Sequence, residues 1–223
     1  MNNSLFVQAI AKFSLGVIVV ALLIFLPAGT LDFFNGWLFM SILFVPMFIA
    51  GLVMLAKNPT LLQSRLNAKE QQAEQDAVVK LSGLMFIAGF IVAGLGVRFN
   101  WYVLPDTISI IAAIIFLLAY IAYAEVLREN TYLSRTIEVV DNQHVIDTGL
   151  YRIVRHPMYS VTLVLFLTMP LILGSLYAFI IFGAYPFIIA RRIKYEEQLL
   201  EQELIGYVAY KQNVKYKLIP YIW

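Results

Sequence analysis

The sequence predicts an all-α fold: a polytopic transmembrane bundle of about four spans followed by a C-terminal helical hairpin. Three observations carry that expectation. Of 223 residues, 61% are hydrophobic and 13% charged, about half the charged share of ordinary soluble domains. The apolar residues come in runs near the roughly 20 that an α-helix needs to cross the hydrocarbon layer. Lysines and arginines gather in alternate gaps between those runs.

A single core of this size cannot absorb so much apolar side chain, so the surplus faces lipid. The mean hydropathy of +0.79 agrees. Cysteine is absent, which excludes a disulfide framework, a thiolate zinc site and a cysteine nucleophile. Two histidines, His144 and His156, are too few for a plausible metal cluster. With a net charge of +2 and no basic aromatic patch, no nucleic-acid partner is expected. Membrane lipids are the expected surroundings, and the pattern fixes no oligomeric state.

The first span, residues 5–26, ends at Pro27-Ala28-Gly29 and is too long for a cleavable signal. The second covers residues 33–56, with a kink expected at Pro46. The third, residues 81–97, is short and rich in glycine (Gly83, Gly89, Gly94, Gly96), as where membrane helices pack closely. Pro105-Asp106-Thr107 starts the fourth, which continues to about residue 126. Between the second and third, residues 61–80 read as a mixed-charge surface helix, either a connector or a lid. Residues 161–190 are apolar but broken by Gly174-Ser175, which predicts two short, closely packed helices joined by a tight turn. The expected division is a bundle over 1–126, with a loop at 57–80, and a second region over 127–223 containing a membrane hairpin at 157–190 and a polar tail.

The basic residues give an orientation. The 57–80 loop holds Lys57, Arg65, Lys69 and Lys80; the 127–158 segment holds Arg128, Arg135, Arg152 and Arg155; six more follow from Arg191. Lys12 lies near the amino end, and the opposite side has only Arg98. The positive-inside rule then puts both termini and both long polar segments in the cytoplasm.

Two polar segments stand out from this apolar chain. The first is "TGLYRIVRHPMY", residues 148–159. Thr148-Gly149 reads as a turn, and Pro157 biases His156 away from helical geometry while allowing a new helix to begin. The second starts at "RRIKYEEQLLEQE", where Arg192 and Glu196 are four apart and share one helical face. Either segment could be an interfacial basic belt with local ion pairs. The intervening hairpin can also bring them together into a compact site of Tyr151, Arg155, His156, Tyr159, Arg192 and Glu196. Spacing alone names no ligand. A transporter is the weaker reading, because the span centres lack acidic residues and Glu125 sits at a span's end.

In order, the chain carries Gly149, Tyr151, Arg155-His156-Pro157-Met158-Tyr159, Arg192, Glu196-Glu197, Gly206, Tyr210 and Ile219-Pro220. That series resembles the isoprenylcysteine carboxyl methyltransferase family, bacterial-type membrane enzymes related to phospholipid N-methyltransferases. The likeness is strong over the last 95 or so residues, from Glu129 onward, and the preceding spans agree in kind. The resemblance implies methyl transfer from S-adenosyl-L-methionine to a lipophilic small-molecule or lipidated acceptor, at a cytoplasmic cofactor site reached from the bilayer. By position it implies cofactor contacts at Gln143, His144, Val145 and Ile146, then Tyr151, then His156, Pro157, Met158 and Tyr159, and finally Glu196. It implies that Arg192 orients the acceptor, with Arg155 beside it in the catalytic set. A phospholipid-type N-methyltransferase is the neighbouring alternative, and a non-catalytic membrane binding protein on the same scaffold is a further one.

Overall fold

The computed structural model describes residues 3–66, 73–101, 103–133, 139 and 142–223. Lys69, Arg135 and the middle of the 61–80 segment lie outside them. The described residues form nine α-helices and one 3-10 turn, with no strand among them. Five segments are long and apolar enough to cross a membrane: Leu5–Ala28, Phe34–Lys57, Asp76–Arg98, Asp106–Glu129 and Leu176–Glu203.

The first helices, α1 (Asn3–Ala28) and α2 (Phe34–Lys57), follow the predicted spans. Gly29, at φ +69°, makes the turn between them. Pro46 removes an N–H from the interior of α2. Three residues before it, the Leu43 carbonyl accepts a 2.9 Å hydrogen bond from the Tyr120 hydroxyl. The short α3 (Pro59–Leu66) is tied on both sides: Arg65 bonds the Tyr123 hydroxyl, and the Leu66 carbonyl accepts from Lys12 Nζ at 2.7 Å.

The third span is longer than its apolar run suggests, because α4 (Ala73–Arg98) extends back into the polar connection. Two of its glycines do the packing expected of them. A Cβ on Gly94 would lie 2.4 Å from the Ile24 carbonyl of α1, and one on Gly89 would lie 2.3 Å from the Phe182 ring. Gly83 faces open space. The fourth span, α5 (Asp106–Glu129), shows why its sequence is helical and membrane-bound at once. Ala112, Ala113, Phe116 and Ala119 form its buried stripe, while Ile110, Ile114, Leu118 and Ile121 are exposed on the face left for lipid.

The hairpin differs in its second arm. Its first arm, α6 (Pro157–Ile172), is as short as predicted and packs along α5, the most extensive helix pairing among the described residues. The turn follows at Gly174 (φ +71°), where a Cβ would approach Asn35 Nδ2 to 3.0 Å. Ser175 caps α7 (Leu176–Phe182), its hydroxyl accepting from the Ala178 N–H. The chain breaks at Gly183-Ala184 and continues as α8 (Tyr185–Glu203), so this arm runs well past residue 190 and has the length of a full span. The sequence predicts that the membrane hairpin ends at residue 190 and that the helix carrying Arg192 and Glu196 follows it, because α8 turns amphipathic after Ala190 and hydropathy falls where the charges begin.

At the turn end, Ser109 accepts from Asn35 at 3.4 Å and donates to the Leu171 carbonyl at 3.0 Å, stapling α2, α5 and α6. Phe39, Phe90, Phe116, Phe166 and Phe182 fill the core between the helices. Gly206, at φ +90°, reverses the chain after α8 into α9 (Tyr207–Asn213). Residues 214–218 then return as an irregular strap that pairs with the backbone before α6.

Candidate functional site

The two polar segments meet at the end of the bundle opposite the Gly174 turn. The 3-10 turn Gly149–Arg152 leads into the residues before α6. Gly149, at φ +53°, lies against Glu129, whose carboxylate accepts from the Thr148 hydroxyl. Pro157 takes the first position of α6 and His156 caps it in non-helical geometry, as the His-Pro pair predicts.

The C-terminal strap fixes this turn by backbone bonds. The Arg155 and His156 N–H groups each donate over 2.9 Å, to the Tyr216 and Lys217 carbonyls respectively. The Ser160 hydroxyl donates to the Leu218 carbonyl at 2.7 Å.

Across from the turn, α8 presents two consecutive carboxylates, and they do different things. Glu197 is buried. Its carboxylate accepts from Arg155 Nε at 2.7 Å, lies 3.2 Å from His156 Nε2 and pairs with Lys217 Nζ at 2.9 Å. A carboxylate only accepts, so His156 carries its proton on Nε2. Arg155 Nη1 also donates to the Val214 and Lys215 carbonyls, at 2.7 and 2.8 Å.

Glu196, one residue earlier, keeps 20% of its side chain exposed. It accepts from the Tyr159 hydroxyl, which itself accepts from Arg192 Nε at 3.0 Å. His156 Nδ1 lies 3.8 Å from Glu196, and the His156 and Tyr159 rings stack at 5.8 Å. Arg155, His156, Tyr159, Arg192 and Glu196 therefore form one connected cluster.

The other candidates surround it at varying distance. Tyr151 is buried; its hydroxyl accepts from Asn130 at 3.1 Å and its carbonyl from Tyr210 at 2.7 Å. Burial is the main reason the Tyr151 phenol stays protonated well above its ordinary range. Pro157 is fully buried, and Met158 packs half-buried against the main core. Of the 143–146 segment, Ile146 packs on that core too, while Val145 joins a smaller cluster with Leu204, Tyr207, Tyr210 and Val214. Gln143 is half-buried. His144 stays outside the connected cluster: it is exposed, with Nδ1 3.0 Å from the Tyr132 hydroxyl.

Three contributors escaped the sequence reading. Glu197 stood out only as half of a Glu-Glu pair, and its role as the buried hub depends on the strap that delivers Lys217. Nothing in the local sequence of Lys217 signals that long return. The third is Tyr207, whose hydroxyl is the one buried side-chain polar atom without a hydrogen-bond partner among the described residues. Leaving such a hydroxyl unsatisfied costs about 1–3 kcal/mol.

The donor set can be tested against S-adenosyl-L-methionine, which bears an ammonium, a carboxylate and a sulfonium. Glu196 offers a partly open carboxylate, Tyr159 and Tyr151 offer aromatic faces, and Tyr207 offers an orphaned polar atom. These residue types fit such a ligand. Two hollows are lined by residues in or beside the polar segments rather than by the cluster itself. An open cleft of about 390 Å³ runs between Val145, Arg152, Gly206 and Tyr210. An apolar groove of about 560 Å³ lies between Leu118 and Ile121 of α5 and Leu150, with Glu125 and Arg128 at its rim. Among the described residues no group of His, Asp and Glu could hold a metal ion.

Residues 107–204, from the start of α5 to the end of α8, match the family model for phospholipid methyltransferase. The match bears out the resemblance to a membrane methyltransferase family related to phospholipid N-methyltransferases. No curated protein matches the chain.

Proposed function

We propose that the chain is an S-adenosyl-L-methionine-dependent membrane methyltransferase whose acceptor is lipophilic and reaches the site from the bilayer. The family match supports the membrane methyltransferase class. The observation that carries the finer reading is Glu196, a partly open carboxylate held between Tyr159 and His156. When bound, S-adenosyl-L-methionine supplies an electrophilic methyl group on a sulfonium.

The chain's own residues then have separable tasks. Glu196 receives the cationic amino-acid end of the cofactor, a charge-assisted contact. Tyr159 holds Glu196 in place while bridging to Arg192. Arg155 and Glu197 keep the His156-Pro157 turn against α8, so Arg155 acts as a positioning residue. Arg192 holds the acceptor in line, and in-line displacement depends chiefly on such positioning.

We take a prenylcysteine-like carboxylate as the acceptor, since it is ionised at neutral pH, needs no base and suits a guanidinium. A phospholipid amine is the second reading, favoured by the description of the matching family. It would require a base, for which Glu196 is the nearest candidate. The apolar groove beside Leu150 supports entry from the lipid-facing side of α5. The concentration of basic residues at this end supports a cytoplasmic site and cytoplasmic termini.

The test is calorimetry of S-adenosyl-L-methionine with the detergent-purified protein, then labelled-methyl transfer to a prenylcysteine and to phosphatidylethanolamine. Saturable binding lost in His156→Ala is expected, with label appearing on the prenylcysteine. Label on the phospholipid instead selects the second reading. No binding by well-folded protein would leave a non-catalytic membrane protein on this scaffold.

A further inference from the structure

Tyr207 opens α9 directly after Gly206, the left-handed residue that turns the chain back from α8. Its ring is 4% exposed and packs with Leu204, Tyr210 and Val214, bordered by Val145 and Leu200. Two of those neighbours locate it relative to the site. Val145 belongs to the 143–146 segment, and Leu200 lies one helical turn beyond Glu196 on α8. The ring is buried among these side chains, yet its hydroxyl has no hydrogen-bond partner among the described residues.

A buried phenol with no partner inside the protein is suited to a ligand that supplies one. Burial first, then the Glu197 and Glu196 carboxylates, push the Tyr207 phenol upward, so it stays neutral. A neutral phenol keeps the lone pairs with which it can accept from a cationic donor, and the nearby carboxylates favour a cation there.

We propose that Tyr207 is a ligand-contacting residue, its hydroxyl oxygen accepting a hydrogen bond from the α-ammonium of S-adenosyl-L-methionine beside Glu196. The inference rests on the function proposed above and adds a residue to it. The ammonium would then be shared between a carboxylate from α8 and a phenol from α9, which makes the Gly206 reversal part of the binding site.

The experiment is calorimetry of two ligands with wild type and Tyr207→Phe, beside ligand-free thermal unfolding of both in detergent. The ligands are S-adenosylhomocysteine, which carries the amino-acid end, and 5′-methylthioadenosine, which lacks it. Tyr207→Phe removes only an unpartnered oxygen, so the ligand-free unfolding midpoint should stay level or rise. Its affinity for S-adenosylhomocysteine should fall by about 10-fold, the size of one hydrogen bond to a charged group. Affinity for 5′-methylthioadenosine should not change. Equal S-adenosylhomocysteine affinity in the two proteins overturns the inference. So does an equal loss for both ligands, which would set the hydroxyl against the nucleoside. If the folded wild type binds neither, the proposed function fails and this inference with it.

Discussion

Arg155 and Glu197, 42 positions apart in the chain, form a buried ion pair at 2.7 Å. Each is drawn into further bonds: Arg155 to two strap carbonyls, Glu197 to His156 and Lys217. Three parts of the molecule, the turn before α6, the middle of α8 and the C-terminal strap, therefore depend on one contact. A buried charge stripped of its partner is far more costly than the intact pair is stabilising. Glu197→Ala should destabilise the protein by about 3–5 kcal/mol, and Arg155→Ala by a similar amount. The double variant should lose clearly less than the sum, since neither charge is then left alone. Denaturant unfolding in detergent measures all three, and additive losses would show that the two residues do not act as a pair.

Glu196 should behave in the opposite way. It is partly exposed, and its neighbour Glu197 carries the structural bonds. Glu196→Gln keeps the shape and an acceptor for the Tyr159 hydroxyl while removing the charge. The expected outcome is normal insertion, purification and unfolding midpoint, with S-adenosyl-L-methionine binding weakened at least about 10-fold, as for loss of a charge-assisted bond. Unchanged affinity in calorimetry would remove Glu196 from the site.

The contrast between these adjacent glutamates marks how far the sequence could be read. The spans were legible because lipid imposes one requirement, a long apolar helix, and α1, α2 and α5 meet it within a few residues of the predicted bounds. The ends of α4 and α8 were less legible, because both helices continue into polar sequence where hydropathy no longer marks them. At the site, Arg192 and Glu196 follow from helical spacing, and the His156-Pro157 boundary from proline's geometry. The division of labour between Glu196 and Glu197 does not, since it is set by the strap 20 residues beyond, which brings Lys217 back to Glu197. Tyr207 was invisible for the same reason: an orphaned hydroxyl exists only once every possible partner has been placed.

The glycines of α4 give a prediction with its control on the same helix. Gly94 lies where α1 and α4 approach closely, and a Cβ there would sit 2.4 Å from a backbone oxygen that cannot rotate away. Gly94→Ala should cost about 1–3 kcal/mol through forced separation of the two helices. Gly83→Ala meets open space and should be neutral or slightly stabilising, because alanine favours the helix. Equal unfolding midpoints for the two variants would show that α1 and α4 do not pack through Gly94.

Alkaline pH should weaken the packing of the C-terminal region. Tyr151, Tyr207 and Tyr210 all have phenols raised above their ordinary range, burial being the largest cause in each. In the unfolded chain a tyrosine titrates near 10. The sign follows from linkage: a group whose folded pKa is raised contributes stability that is fully present below the unfolded value and is lost as pH rises toward the folded one. Stability should therefore hold to about pH 10 and then fall. Lysines as a class titrate in the same range, so the slope in wild type alone would not assign the effect. Tyr210→Phe separates them. It removes one raised phenol together with the 2.7 Å bond to the Tyr151 carbonyl. Its unfolding free energy should be lower by about 1 kcal/mol at neutral pH, and the decline above about pH 10 should be shallower than in wild type. A parallel decline in the two proteins would assign the alkaline loss to the lysines and leave Tyr210 with its hydrogen bond alone.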